Sequence, residues 1–221
     1  LRICKAREEK PLAVMCRSLE TAEEFCRVSL GEKELLESPC RPIVLLEKKK
    51  QGGWFWLSGT NRIGIMLPYT PLHVLLLDGV FDGPDCLVMT SANLPGNPVL
   101  LENEEAVGAL HGIADGFLLH DRPIENRCDD SLVMEWEGRP YFFRRSRGYA
   151  PGPVPLSKDM TGLLAFGAEQ KASFAFGRGF YAFPSPHIGD LKNLETLDHY
   201  QSAMKGYRRL LHMEPCFLVC D

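Results

Sequence analysis

The chain has 221 residues, of which 45% are hydrophobic, and its 29 acidic and 25 basic residues give a formal net charge of -4. This composition predicts a globular protein with a substantial core and disfavours the general basic surface of a nonspecific nucleic-acid binder. No apolar run approaches the roughly 18 residues of a membrane-spanning helix, so no membrane protein is expected. The eight cysteines include no CxxC pair. They indicate reduced thiols in a cytoplasmic protein and argue against a structural zinc ribbon.

Helical patterns and short apolar runs alternate along the chain. Thr21 and Glu24 predict a capping box, and Pro71 is typical of the first turn of a helix. The expected helices are residues 1–5, 21–27, 32–36, 71–77, 104–111 and 194–212. The expected strands are residues 41–46, 62–67, 87–89, 116–119, 132–136, 141–145, 162–166, 172–176, 180–183 and 216–220. This order predicts an α/β fold with mixed strands, including a hairpin at residues 132–145.

A segment rich in proline and glycine divides the chain. Residues 149–160 contain Pro151, Gly152, Pro153 and Pro155, which cannot sustain a helix or a central strand. We therefore expect a linker at 149–160, between a domain of residues 1–148 and a second domain of residues 161–221. The first domain is predicted to combine mixed strands with helices. The second is predicted to open with a β-meander followed by a helix.

Polar side chains follow the strand predicted at residues 87–89, which we expect to be buried. Thr90, Ser91 and Asn93 come where its apolar run ends. Because ligands bind outside the carboxyl ends of strands in open α/β sheets, these side chains are candidate ligand contacts. The same residue types are ordinary turn formers, so a plain strand-to-turn connection is the alternative.

Two basic groups have the chemistry to bind an anion. Lys5 and Arg7 lie two positions apart, and three arginines, at residues 144, 145 and 147, come at the end of a predicted strand. Arginine suits bidentate contacts with phosphate, and neighbouring guanidinium groups repel one another unless an anion or carboxylates lie nearby. An ATP phosphate chain and an RNA backbone both fit the arginine group. For Lys5 and Arg7 a solvated surface helix is the alternative.

A series of motifs then resembles one known family in its order. The motifs are Lys5-Ala6-Arg7 with Lys10-Pro11-Leu12-Ala13-Val14-Met15, Leu67-Pro68-Tyr69-Thr70-Pro71-Leu72-His73, Thr90-Ser91-Ala92-Asn93, Asn126-Arg127-Cys128-Asp129-Asp130-Ser131, Arg144-Arg145-Ser146-Arg147-Gly148-Tyr149-Ala150-Pro151, Gly167-Ala168-Glu169-Gln170-Lys171 and His187-Ile188-Gly189-Asp190-Leu191. Those before the linker resemble the YrdC-like domain of the HypF carbamoyltransferases, which implies a twisted, mixed open sheet with flanking helices. Those after it resemble the start of that family's second catalytic domain, which has an actin and sugar-kinase type of fold.

The resemblance implies a two-step carbamoyl transfer. ATP and carbamate, derived from carbamoyl phosphate, would form carbamoyl adenylate. The second domain would then pass the carbamoyl group to the C-terminal cysteine of a partner protein, HypE, on the way to a cyanide ligand in nickel-iron hydrogenase maturation. ATP and Mg²⁺ are the implied cofactors, and zinc or other metal sites are expected only in parts of the family beyond this chain.

The resemblance also assigns roles to residues of this chain. The implied contacts are Lys5, Arg7, Ser91 and Asn93 for catalysis, Thr90, Ser131, Arg145 and Arg147 for the nucleotide, and Lys171, His187 and Asp190 for a phosphate or carbamoyl site in the second domain. No metal ligand is assigned. We expect Ser91 and Asn93 to face Lys5 and Arg7 across a cavity. Because the family's first strand and glycine-rich turn do not precede Lys5 here, we expect no turnover by this chain alone.

Two further hypotheses remain at this point. A protein related to threonylcarbamoyl adenylate synthase, which acts in tRNA modification, shares the KxR and SxN elements. The second domain after Pro155 and the Asp129-Asp130-Ser131 sequence argue against it. A non-catalytic RNA-binding module that uses the same basic residues is the third hypothesis, although the net charge makes nucleic acid an unlikely partner.

Overall fold

The computed structural model describes residues 1–5, 10–49 and 55–220. Its helices are α1 (Leu19–Phe25), α2 (Leu30–Glu37), α3 (Pro71–Leu76), α4 (Asn103–Leu110) and α5 (Leu194–Leu211). Its strands are β1 (Ala13–Cys16), β2 (Cys26–Arg27), β3 (Ile43–Lys48), β4 (Arg62–Met66), β5 (Cys86–Met89), β6 (Leu132–Trp136), β7 (Arg139–Arg144), β8 (Val154–Pro155), β9 (Leu163–Phe166), β10 (Phe174–Arg178), β11 (Tyr181–Pro184) and β12 (Phe217–Val219). Among these described helices, none is long and apolar enough to span a bilayer.

The chain forms two compact units, and each contains segments from separate parts of the sequence. The first unit holds the described residues of 10–90 and 130–148, and the second unit holds those of 1–5, 91–129 and 149–220. The units therefore do not follow the order of the sequence. The domain bounds drawn from the sequence, 1–148 and 161–221, stay predictions.

A mixed sheet of seven described strands forms the first unit. Its order is β5-β1-β4-β3-β6-β7, and β2 pairs with one end of β3. The pairs β1·β4 and β3·β6 are parallel, whereas β1·β5, β3·β4 and β6·β7 are antiparallel. The mixed sheet predicted from the sequence is confirmed.

Both faces of this sheet carry buried side chains. Val14 and Cys16 of β1 belong to a core cluster that includes Leu19 of α1 and Leu36 of α2. Met15, between them on the same strand, belongs to a separate cluster on the other face. Because successive side chains of a strand point to opposite faces, a sheet buried on both sides needs continuous apolar runs. Apolar runs of this kind predicted β3 and β4, whereas the equally central β1 was not among the expected strands.

The first two helices begin at serine caps. Ser18 Oγ accepts a hydrogen bond from the Thr21 amide at 3.3 Å, so α1 begins before Thr21 and the capping box predicted at Thr21 is wrong. The helix ends at Phe25 because Cys26 and the next residue leave it to pair with β3. A capping box occurs instead at α2, where Ser29 and Glu32 satisfy each other's free amides.

The predicted hairpin of β6 and β7 is confirmed, with a shorter connection than expected. Glu137 and Gly138 both have positive φ angles, of 50° and 76°, and they alone connect the strands. Two such residues make the type I′ turn, whose twist matches that of the flanking strands. Arg139 and Pro140 are therefore part of β7 instead of the loop.

A second sheet forms the second unit. Its described strands lie in the order β12-β9-β10-β11-β8, and β9, β10 and β11 form an antiparallel meander. Helix α5 contributes Tyr200 and Tyr207 to a core with Phe174 and Phe176. The predicted meander and helix are confirmed. In the proline-rich stretch, the pair Val154–Pro155 adds to the edge of this sheet as β8, a position where proline is tolerated.

Two predicted elements are not formed. Residues 1–5 make a single turn instead of a helix. A 3.0 Å hydrogen bond from the Lys5 amide to the Leu1 carbonyl closes this turn. Residues 116–119 form no strand, and their apolar side chains are exposed. A short apolar run becomes a strand only where a neighbouring strand completes its hydrogen bonds, and among the described residues none lies beside residues 116–119.

Candidate functional site

Lys5 lies against the polar loop that follows β5. Its ammonium donates to the Ser91 carbonyl oxygen at 2.5 Å and to Asn93 Oδ1 at 3.1 Å. Only 5% of Lys5 is exposed. The second unit thus brings together three of the four residues assigned to catalysis. Lys5 contacts the loop directly instead of facing it across the expected cavity, because its ammonium is satisfied by oxygens of the loop.

Internal hydrogen bonds hold this loop in place. Ser91 Oγ donates to Asn93 Oδ1 at 2.8 Å, and Asn93 Nδ2 donates to the Asn97 carbonyl at 2.7 Å. Asn193, which caps α5, also donates to the Gly96 carbonyl at 2.9 Å. The loop therefore presents a fixed cation next to a hydroxyl group, an arrangement that suits an anionic ligand. The fourth residue of this set, Arg7, lies outside the described residues.

The strand that leads into this loop differs from the buried strand expected. β5 is an edge strand, and its Val88 side chain is 38% exposed. It runs antiparallel to β1, with Met89 opposite Ala13. The carboxyl end of β5 therefore lies beside the amino end of β1, so the rule for the carboxyl ends of parallel strands does not apply to Thr90. Thr90 itself is half-buried.

Arg147 is the centre of a hydrogen-bond network in the first unit. Its Nε donates to Asp130 Oδ1 at 2.7 Å, and its two Nη atoms donate to the carbonyls of Cys40 and Arg41 at 3.0 and 2.7 Å. Gly148 lies so close to Cys40 that a Cβ atom there would come within 2.7 Å of the Cys40 carbonyl oxygen, and its φ is +85°. The Arg-Gly sequence therefore has a packing role here.

Ser131 supports the same network. It is fully buried, its Oγ donates to the Arg147 carbonyl at 2.9 Å, and it accepts from the Ser146 amide at 2.8 Å. The structure thus places two of the predicted nucleotide contacts, Ser131 and Arg147, side by side. Arg145 is half-buried in the same unit.

Tyr69 completes this network, and sequence reasoning gave it no role. The Arg147 guanidinium lies over the Tyr69 ring, 3.4 Å from its centroid. Burial and the Asp130 carboxylate raise the pKa of Tyr69 to about 12. His73 packs edge-on against the Tyr69 ring, and burial lowers its pKa. The only signal in the sequence was that Tyr69 and His73 belong to one of the motifs quoted for the family.

In the second sheet, the turn between β9 and β10 brings Lys171 and Asp190 together. Lys171 has a positive φ of 51°, and its amide donates to Asp190 Oδ1 at 2.8 Å. The Lys171 side chain is exposed. The Asp190 carboxylate therefore secures the turn, and the Lys171 side chain extends into solvent.

His187 has a different acidic partner from the neighbouring Asp190. Its Nδ1 lies 3.0 Å from Asp129 Oδ2, across 58 residues of sequence. Both side chains are largely buried, at 20% and 25% exposure. Nearby, His199 is buried, and its burial followed by the charge of Arg127 lowers its pKa to about 4. Spacing along the sequence could not have revealed this cluster.

The described residues do not fit a resident metal ion. Among them, no group of three or more His, Cys, Asp or Glu side chains is placed to hold one. Asp129 is bonded to His187, and Asp130 is bonded to Arg147. Both neighbouring acids are thus already engaged by side chains of this chain.

Comparison with known families divides the chain in two. The Sua5/YciO/YrdC family model, described as "Telomere recombination", matches residues 1–146. A second model, described as "HypF Kae1-like domain", matches residues 158–221. The two matches together include all the motifs identified in the sequence except the last residues of the arginine motif.

Two individual proteins are similar to this chain along its whole length. Carbamoyltransferase HypF of Rhizobium leguminosarum bv. viciae is 40% identical over 226 residues, covering 100% of this chain and 30% of that protein. Carbamoyltransferase HypF of Synechocystis sp. is 42% identical over 224 residues, covering 100% of this chain and 29% of that protein. The chain therefore spans less than a third of the length of these relatives.

A solved structure has the same fold. It is that of full-length HypF in the phosphate- and nucleotide-bound form, which is 39% identical with a TM-score of 0.91. The match covers 100% of this chain and 35% of that chain. The α/β fold predicted from the motifs is confirmed by this likeness.

Proposed function

Since the chain belongs to the Sua5/YciO/YrdC family over residues 1–146 and continues into a HypF Kae1-like domain, we propose that it carries the ATP- and carbamoyl-binding part of a HypF carbamoyltransferase in hydrogenase maturation. The observation that carries this proposal is the nearly buried Lys5 ammonium held on the Ser91–Asn93 loop. A cation that has been taken out of water and fixed in place interacts strongly with a phosphate group.

The first reaction step would form carbamoyl adenylate. A carbamate oxygen attacks the α-phosphorus of ATP, the bond from that phosphorus to the bridging oxygen breaks, and pyrophosphate leaves. Negative charge grows on the phosphate oxygens in the transition state. Lys5 would stabilise this charge as a fixed cation, and Arg7 would add a second cation. Ser91 would donate its hydroxyl to the phosphate after turning away from Asn93 Oδ1. The predicted contacts Asn93 and Thr90 would position the substrate.

The second step would transfer the carbamoyl group to the C-terminal cysteine of HypE. The cysteine sulfur attacks the carbamoyl carbon, the bond from that carbon to the phosphate oxygen breaks, and AMP leaves. His187 is suited to accept the thiol proton. When its Nδ1–H is bonded to Asp129, its Nε2 lone pair is the acceptor. Lys171 would hold the phosphate of the departing nucleotide. A cytoplasmic location is part of this proposal.

Binding of ATP tests the proposal at Lys5. With fluorescent ATP and the full chain, we expect saturable binding that Lys5→Ala weakens at least about tenfold, because a charged hydrogen bond to phosphate is worth about 1.5–3 kcal/mol. Asn93→Ala should weaken binding less, since it loosens the loop without removing the charge. Lys158→Ala is the matched control, because Lys158 is an exposed lysine in the same unit.

Thermal unfolding of each variant shows whether the fold survives. If Lys5→Ala unfolds, Lys5→Met, which keeps the length of the side chain, replaces it in the comparison. ATP binding that is unchanged in folded Lys5 variants, or reduced equally by Lys158→Ala, would contradict the proposed site.

A further inference from the structure

Two cysteines face each other across the edge of the first sheet. Cys16 of β1 and Cys86 of β5 are direct partners in the antiparallel ladder. Their sulfur atoms lie 3.7 Å apart, within hydrogen-bonding distance for thiols. They come from positions 70 residues apart in the sequence. The carbamoyl-transfer chemistry proposed above uses neither of them.

The ladder geometry at this position permits a covalent bond. The amide of Arg17 donates to the Asp85 carbonyl at 2.8 Å, so the neighbouring pair is a hydrogen-bonded pair. Pairs alternate along an antiparallel ladder, and Cys16 and Cys86 are therefore a non-hydrogen-bonded pair, for which the Cα atoms lie about 4.5 Å apart. Disulfides require a Cα separation of about 4.4–6.8 Å. No rearrangement of the strands is needed to join the two sulfurs.

The two thiols differ in access and in acidity. Cys16 is fully buried, whereas Cys86 is partly exposed. The hydrogen bond with Cys16 lowers the pKa of Cys86, and this effect exceeds the opposing effects of partial burial and of the Asp85 carboxylate. The same hydrogen bond and burial raise the pKa of Cys16. Cys86 therefore has the properties of an attacking thiolate, and Cys16 those of a resolving thiol.

We propose that Cys16 and Cys86 form a reversible oxidation site, in which hydrogen peroxide converts the two thiols to a disulfide between β1 and β5. The Cys86 thiolate attacks one oxygen of the hydrogen peroxide, the O–O bond breaks, and the other oxygen leaves as water after protonation. Cys86 is now a sulfenic acid. The Cys16 sulfur then attacks the Cys86 sulfur, the S–O bond breaks, and a second water leaves with the Cys16 proton.

The disulfide would fasten an edge strand that backbone hydrogen bonds hold on one side only. β5 pairs with β1 and, among the described strands, with no other. Two electrons from a dithiol would restore both thiols, so the bond acts as a reversible clamp on this edge. A bond that closes a loop of 70 residues also restricts the unfolded chain. The oxidised protein should therefore unfold at a higher temperature than the reduced protein.

Peptide mapping tests this proposal directly. The folded full chain is treated with hydrogen peroxide, the remaining thiols are alkylated, and the digest is analysed by mass spectrometry. We expect a peptide pair joined through Cys16 and Cys86, lighter than the two reduced peptides by about two hydrogens, that disappears after dithiothreitol. The melting temperature should rise with the joined fraction and return on reduction.

Cysteine variants identify the partners. Cys86→Ser should abolish the joined peptides and leave Cys16 as an alkylated thiol, and Cys16→Ala should leave Cys86 as a sulfenic or sulfinic acid. Cys26→Ser is the matched control, because Cys26 is equally buried and lies outside the pair. If Cys16→Ala does not fold, the wild-type digest and the Cys86→Ser variant show whether the joined peptides depend on this pair. Complete alkylation of Cys16 and Cys86 after peroxide treatment, while the exposed Cys128 is oxidised, overturns the proposal.

Discussion

Arg147 shows how a functional motif also serves the fold. Three arginines in sequence indicated an anion, because neighbouring guanidinium groups repel one another. The structure supplies part of the balancing charge from within the chain, through the Asp130 carboxylate, and two main-chain carbonyls complete the contacts. Stacking on Tyr69 fixes the guanidinium plane. A nucleotide would therefore meet an arginine already held in one orientation, and the contact itself stays a prediction.

The buried His199 predicts a loss of stability in acid. Its folded pKa is lowered to about 4, below the value of about 6.5 expected for an unfolded chain. Between these values the unfolded chain binds a proton that the folded chain does not. The contribution of neutral His199 to the free energy of unfolding is thus fully present above about pH 6.5 and falls as the pH decreases toward 4. At about 1.4 kcal/mol per pH unit, the loss between pH 7.5 and pH 5 is about 2 kcal/mol.

Denaturant titrations at the two pH values measure this effect. The free energy of unfolding of the wild type should fall by about 2 kcal/mol more than that of His199→Gln. His120→Gln replaces an exposed histidine and should keep the wild-type dependence. A His199→Gln protein with an unchanged loss of stability in acid would show that another group is responsible.

At the scale of elements, pattern located most strands, and neighbours decided their ends. β3 and β4 were recognisable because both faces of their sheet are buried. The end of α1 moved because the next two residues pair with β3. The apolar residues 116–119 had the composition of a strand without a neighbour to pair with. Local sequence records the preference of a segment but not whether a partner strand reaches it.

Alanine substitutions at Gly138 in the β6–β7 turn and at Gly108 in α4 should change the free energy of unfolding in opposite directions. At Gly138 and Gly108 an added Cβ would meet no atom within 4 Å, so only the backbone conformation decides. Gly138 has a φ of +76°, and Gly138→Ala should lower the free energy of unfolding by about 1 kcal/mol. Gly108 lies inside α4, where Gly108→Ala should raise it by about 0.5–1 kcal/mol. Urea unfolding of both variants measures the two signs, and equal signs contradict this account of the turn.

At the scale of the whole molecule, the compact units do not follow the order of the sequence. Residues 91–129 precede the linker, yet they belong to the same compact unit as residues 149–220. The Asp129–His187 and Asn193–Gly96 hydrogen bonds are two of the contacts within that unit. Family models, in contrast, divide the chain near the proline-rich segment. Evolutionary segments and compact units are therefore different divisions of this chain.

The overall charge predicts that any binding of nucleic acid depends strongly on salt. With a net charge of -4, the chain should bind duplex RNA only through local basic residues. Such phosphate-backbone binding weakens steeply between about 50 and 200 mM salt, because it depends on the release of counterions. Fluorescence anisotropy at both salt concentrations should show RNA binding lost at about 200 mM while ATP binding persists. RNA binding that survives this salt, together with no ATP binding, would favour the RNA-binding module.

The sequence by itself determined the fold class and the family. Apolar runs identified most strands of a sheet buried on two faces, although not the central β1, and the order of the motifs identified the relatives. Both follow from local chemistry, since side-chain periodicity and turn residues act over a few positions. Of the candidate site, the sequence supplied the residue types: a lysine, a serine and an asparagine that the fold then joined by hydrogen bonds.

Only the tertiary structure decided which groups are partners. It paired His187 with Asp129, placed Tyr69 under Arg147, and set Cys16 opposite Cys86. It also made β5 an antiparallel edge strand, so the rule for the carboxyl ends of parallel strands no longer supports a ligand at Thr90. These partners lie about 60 to 80 residues apart in the chain. Contacts over such separations are set by the register of strands and the packing of the core, and spacing along one sequence carries no record of either.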